Sequence, residues 1–434
     1  MTTDIRYEGG ESFDAPTILQ HTKELGFGAR MNYFTTLLDS SFANYQSMYM
    51  RLIDSPADRE VDVLDATTGE RRKMLMFGAN NYLGLANHPR VRSAVQEAIN
   101  EYGVGIGGPP LFNGYTKLHR QLEERLSALK HAEDTLLFPT GYSANVGLIT
   151  CLTGRHDRVL FDEYHHASLR DGLRMAKVPS HSFQHNDVAD LCGLLAAPQF
   201  QPAGDTFVCV EGVYSMDGDL APLPEIVPLC RERHAVLVLD DAHGTGVMGA
   251  SGSGTAEHFG LESAIEITMG TFSKAFGVTG GFVSSSRPIV SYMRVFARSY
   301  MFSASLPPVV IAAVLAGLDV IESEPWLRNQ LRANVKCAAE GLCRLGFDVH
   351  PESAIIALRV PTTMNIREAA LRFHEAGVFV NCVEYPAVPL DQQRFRVSLM
   401  ATHTREDIDR LLEVTADVWA GSSSASVAGS RNRP

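Results

Sequence analysis

Short apolar runs alternate with helical patterns through most of this chain. Four runs, at 159–162, 206–211, 235–240 and 266–269, are rich in Val, Leu or Ile and end in polar or glycine residues. Runs that are apolar at every position, rather than at every second one, mark strands buried on both faces, and the loops at their carboxyl ends are where such sheets carry chemistry. The helical period is clearest at 117–130, where Leu118, Leu122, Leu126 and Leu129 fall on one face at spacings of four, four and three. That stripe belongs to a core. An apolar pattern at 309–321, following Ser305-Leu-Pro-Pro308, predicts the helix that leaves a large domain. The last helix opens at Thr404 with Asp407 three residues on, a capping box in which hydroxyl and carboxylate satisfy free backbone N–H groups. Strands alternating with helices predict an α/β fold with a mostly parallel sheet covered by helices.

The same reading divides the chain. Residues 1–73 form an N-terminal arm, punctuated by Gly9-Gly10 and Asp14-Ala-Pro16, with an aromatic-rich helical stretch at 27–52 that is expected to wrap a neighbour. Residues 74–308 form the large domain and 309–420 a smaller C-terminal α+β domain. Residues 421–434, with Ser-Ser-Ser, Gly, Asn and Pro but almost no large apolar side chain, are expected to be disordered on composition.

Composition narrows the partners. Of 434 residues, 45% are apolar and 20% charged, ordinary values for a soluble globular enzyme. Lysine and arginine total 38 against 50 acids, and a net charge of −12 repels phosphate backbones, so nucleic acid is not an expected partner. Seven cysteines, odd in number and without Cys-x-x-Cys, fit neither a disulfide framework nor a zinc site. They fit a reducing compartment, and cytoplasm is expected. Neither a signal peptide nor an apolar run of about 18 residues is present, so neither export nor a membrane span is expected.

Two segments concentrate the chemistry. Asp240-Asp-Ala-His243-Gly stands where an apolar strand ends, and Gly270-Thr271-Phe-Ser-Lys274-Ala-Phe-Gly277 follows another strand, with its lysine among small residues and two phenylalanines. Burial disfavours a charged ammonium and turns such a lysine into a usable amine nucleophile, which suggests a Schiff base. Pyridoxal phosphate requires an amine, an acid that keeps its ring nitrogen protonated, and a phosphate cradle. Lys274 is the amine and Asp240 the acid. Thr140-Gly141-Tyr142-Ser143, opening a helical pattern, is the cradle, to which Thr271 adds a hydroxyl. His165-His166-Ala-Ser168 follows a further strand end and offers an imidazole to stack on the ring. Taken singly, Asp240 and Ser215 also read as turn caps and His166 and His243 as satisfied core histidines; Asp240 draws its reading from Lys274, and the others from the pattern described next. Gly244-Thr-Gly246-Val-Met-Gly249 has the dinucleotide spacing but continues into Ala250-Ser-Gly-Ser-Gly rather than a helix, and Asp240, Asp241, His243 and His166 lack a ligand spacing, so no metal is expected.

An ordered series of motifs extends this pattern from about residue 77 to 419: Asn80-Asn-Tyr-Leu-Gly84, Tyr102-Gly-Val-Gly, Gly114-Tyr-Thr-x-x-His119, Gly141-Tyr142, His166-Ala-Ser, Ser215-Met-Asp-Gly-Asp219, Asp240-Asp-Ala-His-Gly-Thr-Gly246, Thr271-x-x-Lys274, Phe302-Ser-x-Ser-Leu-Pro-Pro308 and Arg394-x-Arg396-x-Ser. In these the chain resembles the α-oxoamine synthases, fold-type I pyridoxal-phosphate enzymes that include 8-amino-7-oxononanoate synthase, 2-amino-3-ketobutyrate CoA ligase, serine palmitoyltransferase and 5-aminolevulinate synthase. The resemblance implies a fold-type I homodimer with a seven-stranded, mostly parallel sheet and an active site at the subunit interface. It implies decarboxylative condensation of a small amino acid with an acyl thioester, on coenzyme A or a carrier protein, to an α-aminoketone. Lys274 then carries the cofactor and removes the α-proton, Asp240 partners the ring nitrogen, and His243 lies near the phenolic oxygen. His166 stacks on the ring, Ser215 contacts it, Gly141, Tyr142 and Thr271 hold the phosphate, and Ser303 reaches the neighbouring subunit's phosphate. Arg396 holds the amino-acid carboxylate, with Asn80 also at the substrate. Two departures leave glycine, alanine and serine open: Gly107-Gly108-Pro109-Pro110 lacks the arginine many members carry there, and 384–389 lacks the arginine of the oxononanoate synthases. Transamination on the same scaffold, or a non-catalytic subunit of a heteromeric synthase, are the alternative readings; Lys274 itself speaks against the second.

Overall fold

A computed structural model of the chain describes residues 22–46, 49–65, 68–197, 203–384 and 387–428. The arm's punctuation at Gly9-Gly10 and Asp14-Ala-Pro16, and the end of the tail at 429–434, lie outside these. The strands of the described residues are, in chain order, β1 Leu52–Ile53, β2 Glu60–Leu64, β3 Arg71–Met76, β4 Asp134–Phe138, β5 Arg158–Asp162, β6 Ser180–Phe183, β7 Thr206–Glu211, β8 Val236–Asp240, β9 Ile267–Thr271, β10 Gly281–Ser285, β11 Ile355–Arg359, β12 Val378–Phe379, β13 Asn381–Val383 and β14 Arg394–Ser398.

Seven strands form the main sheet in the order β4-β10-β9-β8-β7-β5-β6. The pairs β5–β6, β5–β7, β7–β8 and β8–β9 are parallel, and β10 alone runs against both neighbours. Every residue of β5, β7 and β10 is buried. The alternation along a strand shows why: Val159 and Phe161 enter one apolar cluster with Leu148, Ile149 and Met293, while Leu160 enters another with Leu191, Leu223 and Ile226. Helices on both faces therefore take up both sides of each strand, and the continuous apolar runs of the sequence follow from that. The leucine stripe of Lys117–Leu129 behaves as expected, with Leu122 and Leu126 fully buried.

The C-terminal part builds an antiparallel sheet, β11-β14-β13, against the helices Trp326–Arg344, Ile366–Glu375 and Arg405–Ala428. Phe373, Phe395 and Trp419 form its aromatic centre, with Phe373 and Phe395 centroids 5.0 Å apart. The capping box forms: the Asp407 N–H donates to Thr404 Oγ1 (3.2 Å), and the Thr404 N–H donates to Asp407 Oδ2 (2.9 Å).

Two features differ from the reading of the sequence. Residues 52–76, assigned mostly to the arm, form β1–β3, and β3 pairs in parallel with β12 of the C-terminal part. The exposed Arg71-Arg72-Lys73 hide this strand from a pattern search, because only Met74 and Met76 point inward. The last helix also runs on to Ala428 instead of ending near 420. Once nucleated, a helix gains one hydrogen bond per residue added, and serine and alanine tolerate that state. The helix within the arm is present at Phe27–Gln46, and no described helix is long and apolar enough to cross a membrane.

Candidate active site

The site assembles where β5, β7, β8 and β9 end. Asp240 is the last residue of β8 and is 4% exposed; in register it lies between Glu211 on β7 and Met269 on β9. Its Oδ2 accepts from Asn145 Nδ2 (2.8 Å) and its Oδ1 from the Ala242 N–H (3.1 Å). A buried carboxylate needs such donors, each worth about 1.5–3 kcal/mol when its partner is charged. Asn145 comes from the helix Gly141–Leu152 and also donates to Ser168 Oγ (2.9 Å), tying that helix to the one that follows β5.

Lys274 sits in the hairpin between β9 and β10. Phe272, Ala275 and Phe276 are buried and anchor the turn, and the Gly277 N–H closes it on the Lys274 carbonyl (3.0 Å). The lysine is half-buried, and among the described residues its Nζ makes no hydrogen bond or ion pair. Burial lowers its pKa to about 8, Arg396 adding to the shift while Asp240 and Glu211 oppose it. At pH 7 about a tenth is then free amine, hundreds of times the share of an ordinary lysine. Burial, with Asp240 beside it, pushes the Glu211 carboxyl upward.

His166 caps the helix Ala167–Ala176, its Nδ1 accepting from the Ser168 N–H (3.2 Å), while its own N–H donates to Glu211 Oε1 (2.6 Å). With Nδ1 an acceptor, the neutral ring carries its proton on Nε2. Burial and Lys274 lower its pKa, Asp240 opposing, and the fully buried His165 is pushed down to about 4 by desolvation. His243, 5% exposed, is held well below the usual histidine range by burial together with Lys274, Arg396 and His166. Its Nδ1 lies 2.7 Å from the Tyr82 hydroxyl.

The Tyr82 hydroxyl is a junction. It also meets Asn80 Oδ1 (3.2 Å) and Arg396 Nη2 (3.3 Å). Arg396 lies on the central strand of its sheet and is 5% exposed; Nε donates to the Ser215 carbonyl (2.5 Å) and Nη1 to Ser398 Oγ (2.8 Å). Three of the five guanidinium N–H groups are so engaged, which leaves one on each terminal nitrogen, the pair a bidentate carboxylate contact uses.

The phosphate cradle is a helix start. Thr140 and Ser143 cap the helix Gly141–Leu152 reciprocally, Ser143 N–H to Thr140 Oγ1 (3.0 Å) and Thr140 N–H to Ser143 Oγ (3.0 Å). A Cβ on Gly141 would lie 2.9 Å from the Thr271 side chain, and one on Gly281 would lie 2.7 Å from Gly141, so helix start and hairpin are in backbone contact. The Tyr142 hydroxyl bonds Asp171, and Thr271 Oγ1 donates to the Gly280 carbonyl (2.8 Å). Ser303 lies apart from the main cluster, half-buried in the turn before the helix Pro308–Ser323 and beside the exposed Phe302.

Eight of the residues expected from sequence therefore converge: Lys274, Asp240, His166, His243, Ser215, Arg396, Asn80 and Thr271, with Gly141 and Tyr142 at the adjoining helix start. Sequence reasoning missed Tyr82, Asn145 and Glu211. Tyr82 stands inside the Asn80–Gly84 motif, and Glu211 ends a predicted strand, so both were within reach of the same signal. Asn145 carried none. A partnerless half-buried amine, a buried carboxylate with fixed donors and a helix start in contact with the amine's hairpin fit pyridoxal phosphate. Fold and site together define a pyridoxal-phosphate enzyme of the aminotransferase fold.

Comparison with known proteins agrees. The family profile "Aminotransferase class I and II" matches residues 72–414. A serine palmitoyltransferase from Sphingobacterium spiritivorum is 40% identical over 86% of this chain and 91% of its own. An 8-amino-7-oxononanoate synthase from Geobacter metallireducens is 41% identical over 81% and 90%. The solved serine palmitoyltransferase of Sphingomonas wittichii superposes with a TM-score of 0.83 at 31% identity, covering 94% of this chain and 99% of that one. A second serine palmitoyltransferase structure, with pyridoxal phosphate, gives 0.81 at 31% identity, covering 93% and 99%. The chain belongs to the class I and II aminotransferase family and, within it, to the α-oxoamine synthases. It is a pyridoxal-phosphate-dependent enzyme that condenses an amino acid with an acyl thioester.

Proposed function

We propose that this enzyme joins serine to an acyl thioester with loss of carbon dioxide, and that the residues gathered above carry the reaction in the roles their positions suit. The observation that carries the reading of the site is the pairing of Lys274, whose Nζ bonds to none of the described residues and whose pKa is depressed by burial, with Asp240 at the end of the adjacent strand. Serine is preferred because the solved serine palmitoyltransferase of Sphingomonas wittichii superposes over 94% of this chain with a TM-score of 0.83. Alanine is the second reading, on the 41% identity to an oxononanoate synthase.

Bound in this site, pyridoxal phosphate supplies an aldehyde for an amino group and a ring that withdraws electrons from the α-carbon. The protein supplies the rest. Lys274 Nζ anchors the cofactor and, as a free amine, takes the proton from the α-carbon. Asp240, steadied by Asn145, keeps a proton on the ring nitrogen. The neutral His166 imidazole would stack on the ring, Ser215 would contact it, and His243, hydrogen-bonded to Tyr82, would partner the phenolic oxygen. Gly141, Tyr142 and Thr271 receive the phosphate at the helix start, where N–H groups and dipole favour an anion. The two unengaged N–H groups of Arg396 bind the amino-acid carboxylate, beside Asn80. The α-carbon would then bond to the thioester carbonyl as the C–S bond breaks and the thiolate leaves; carbon dioxide would depart from the α-carboxylate, and the proton held by Lys274 would return to the α-carbon.

The protein is read as a cytoplasmic homodimer, with Ser303 reaching the partner's phosphate site. The exposed Val104, Phe112 and Phe302 support a partner surface, Phe112 being 87% exposed. We propose a large domain (74–308) and a small domain that begins at 309 and ends with the helix that runs to Ala428, the strands β1–β3 at the end of the arm (1–73) docking on the small domain's β12. Screening amino acids by their shift of the cofactor's visible band, then acyl thioesters by thiol release, tests the assignment. Serine must give both signals; alanine giving the larger kcat/KM would overturn it in favour of the second reading.

A further inference from the structure

His185 lies outside the cluster above, just after β6, between two carboxylates. Its Nδ1 is 3.0 Å from Asp162 Oδ1 and its Nε2 is 2.7 Å from Asp219 Oδ2. A neutral imidazole has one N–H and one lone pair, so a ring with a carboxylate at each nitrogen satisfies both only as the cation. Tyr164 stacks on it with centroids 4.2 Å apart, and Tyr214 meets it edge-on at 4.5 Å. Its backbone N–H donates to Glu163 Oε1 (3.1 Å). Asp162, fully buried at the end of β5, is the fixed side of this clamp, also accepting from the N–H groups of Tyr164 and Asn186, both at 2.8 Å.

The other side is the loop that follows Tyr214 and ends at Asp219. This loop spans the two sheets. Ser215 gives its carbonyl to Arg396 on β14, Asp217 pairs with Arg394 on β14 and with Arg359 on β11 (3.1 Å), and the Leu220 N–H donates to Glu352 Oε2 (3.0 Å). A second route leads the same way: the Tyr164 hydroxyl donates to Gln392 Oε1 (3.2 Å), which also accepts from Arg394 Nη2 (3.3 Å). Both routes converge on the strand that carries Arg396.

We propose that His185 is a positioning residue for amino-acid binding: clamped between Asp162 and Asp219, it fixes loop 215–219, and the Ser215 carbonyl in turn orients the Arg396 guanidinium. The inference rests on the reading of Arg396 as the carboxylate contact. Burial works against the charge on His185, but the two aspartates outweigh it and hold the ring protonated at neutral pH.

The test uses holoenzyme of the His185→Gln and Asp219→Asn variants, with Arg396→Lys alongside. Serine affinity is read from titration of the cofactor's visible band, KM is measured for serine and for the acyl thioester separately, and Tm is recorded. Both clamp variants are expected to weaken serine binding about tenfold, the worth of one charge-assisted hydrogen bond, while the thioester KM stays within about twofold. The double variant should lose little more than either single one, because both act through one contact. A lowered Tm with unchanged serine affinity, or an equal loss in both KM values and kcat, overturns the proposal. If Arg396→Lys leaves serine affinity unchanged, the carboxylate reading fails and this inference with it; if only that variant weakens binding, the inference alone falls.

Discussion

The hydroxyl of Tyr82 and Nδ1 of His243 approach to 2.7 Å although 161 residues separate them in the chain. The bond joins the segment entering the large domain to the loop after β8, and the same hydroxyl touches Arg396 from the C-terminal sheet. Replacing Tyr82 with Phe keeps the ring in its buried place and removes only this junction. His243 then loses a buried partner, at a cost of about 1–3 kcal/mol. Tyr82→Phe should raise the KM for the amino acid more than that for the thioester, as measured by thiol release with each substrate varied in turn.

Asn145 donates to Asp240 from within the core. Asn145→Ala leaves Asp240 Oδ2 without its side-chain donor. Cofactor affinity should fall about tenfold, as measured by equilibrium dialysis of pyridoxal phosphate, with Lys274 untouched.

The depressed pKa of Lys274 sets a pH window for cofactor loading. Only the unprotonated amine attacks an aldehyde, so uptake by the apoprotein should rise with pH to a midpoint near 8 rather than at the lysine's ordinary 10.5. Because the Asp240 charge raises that pKa, Asp240→Asn should move the midpoint lower. Stopped-flow absorbance from about pH 6 to about 11.5 reads both values; a midpoint at the ordinary lysine value would remove the argument for a preset nucleophile.

His185 makes stability depend on pH in the opposite sense from a buried carboxylate. Its pKa is raised from 6.5 to about 10 in the folded chain, with burial opposed by Asp162 and Asp219. Its contribution is therefore complete below about pH 6.5, diminishes above it, and is gone above about pH 10. The Tm difference between the native protein and His185→Gln should narrow along that interval; a constant difference would mean that the ring does not gain its proton on folding.

Gly141→Ala puts a methyl group 2.9 Å from the Thr271 side chain. The variant should fold, since alanine suits a helix, but should bind pyridoxal phosphate weakly while retaining affinity for pyridoxal without phosphate.

What the sequence made legible was whatever depends on neighbours along the chain. The ends of β5, β7, β8 and β9, the cap at Thr404 and the Lys274 turn each write a local signature, and the motif series pointed to His166, His243 and Arg396, which the fold brings together. Asn145 and Tyr82 act across 95 and 161 residues, and no local pattern encodes such a bond. The antiparallel β10, Gly-Phe-Val-Ser-Ser, is too small and polar to read as a core strand, yet the helices around it bury every residue. The pairing of β3 with β12 joins segments about three hundred residues apart, and only the folded chain brings them together.

The backbone contact between Gly281 and Gly141 ties two anchoring points into one rigid piece. A hairpin that paired one residue out of step would break this contact, so the register of β9 with β10 sets how far the lysine stands from the helix tip. Loading of the cofactor therefore depends on strand pairing as well as on the residues that touch it.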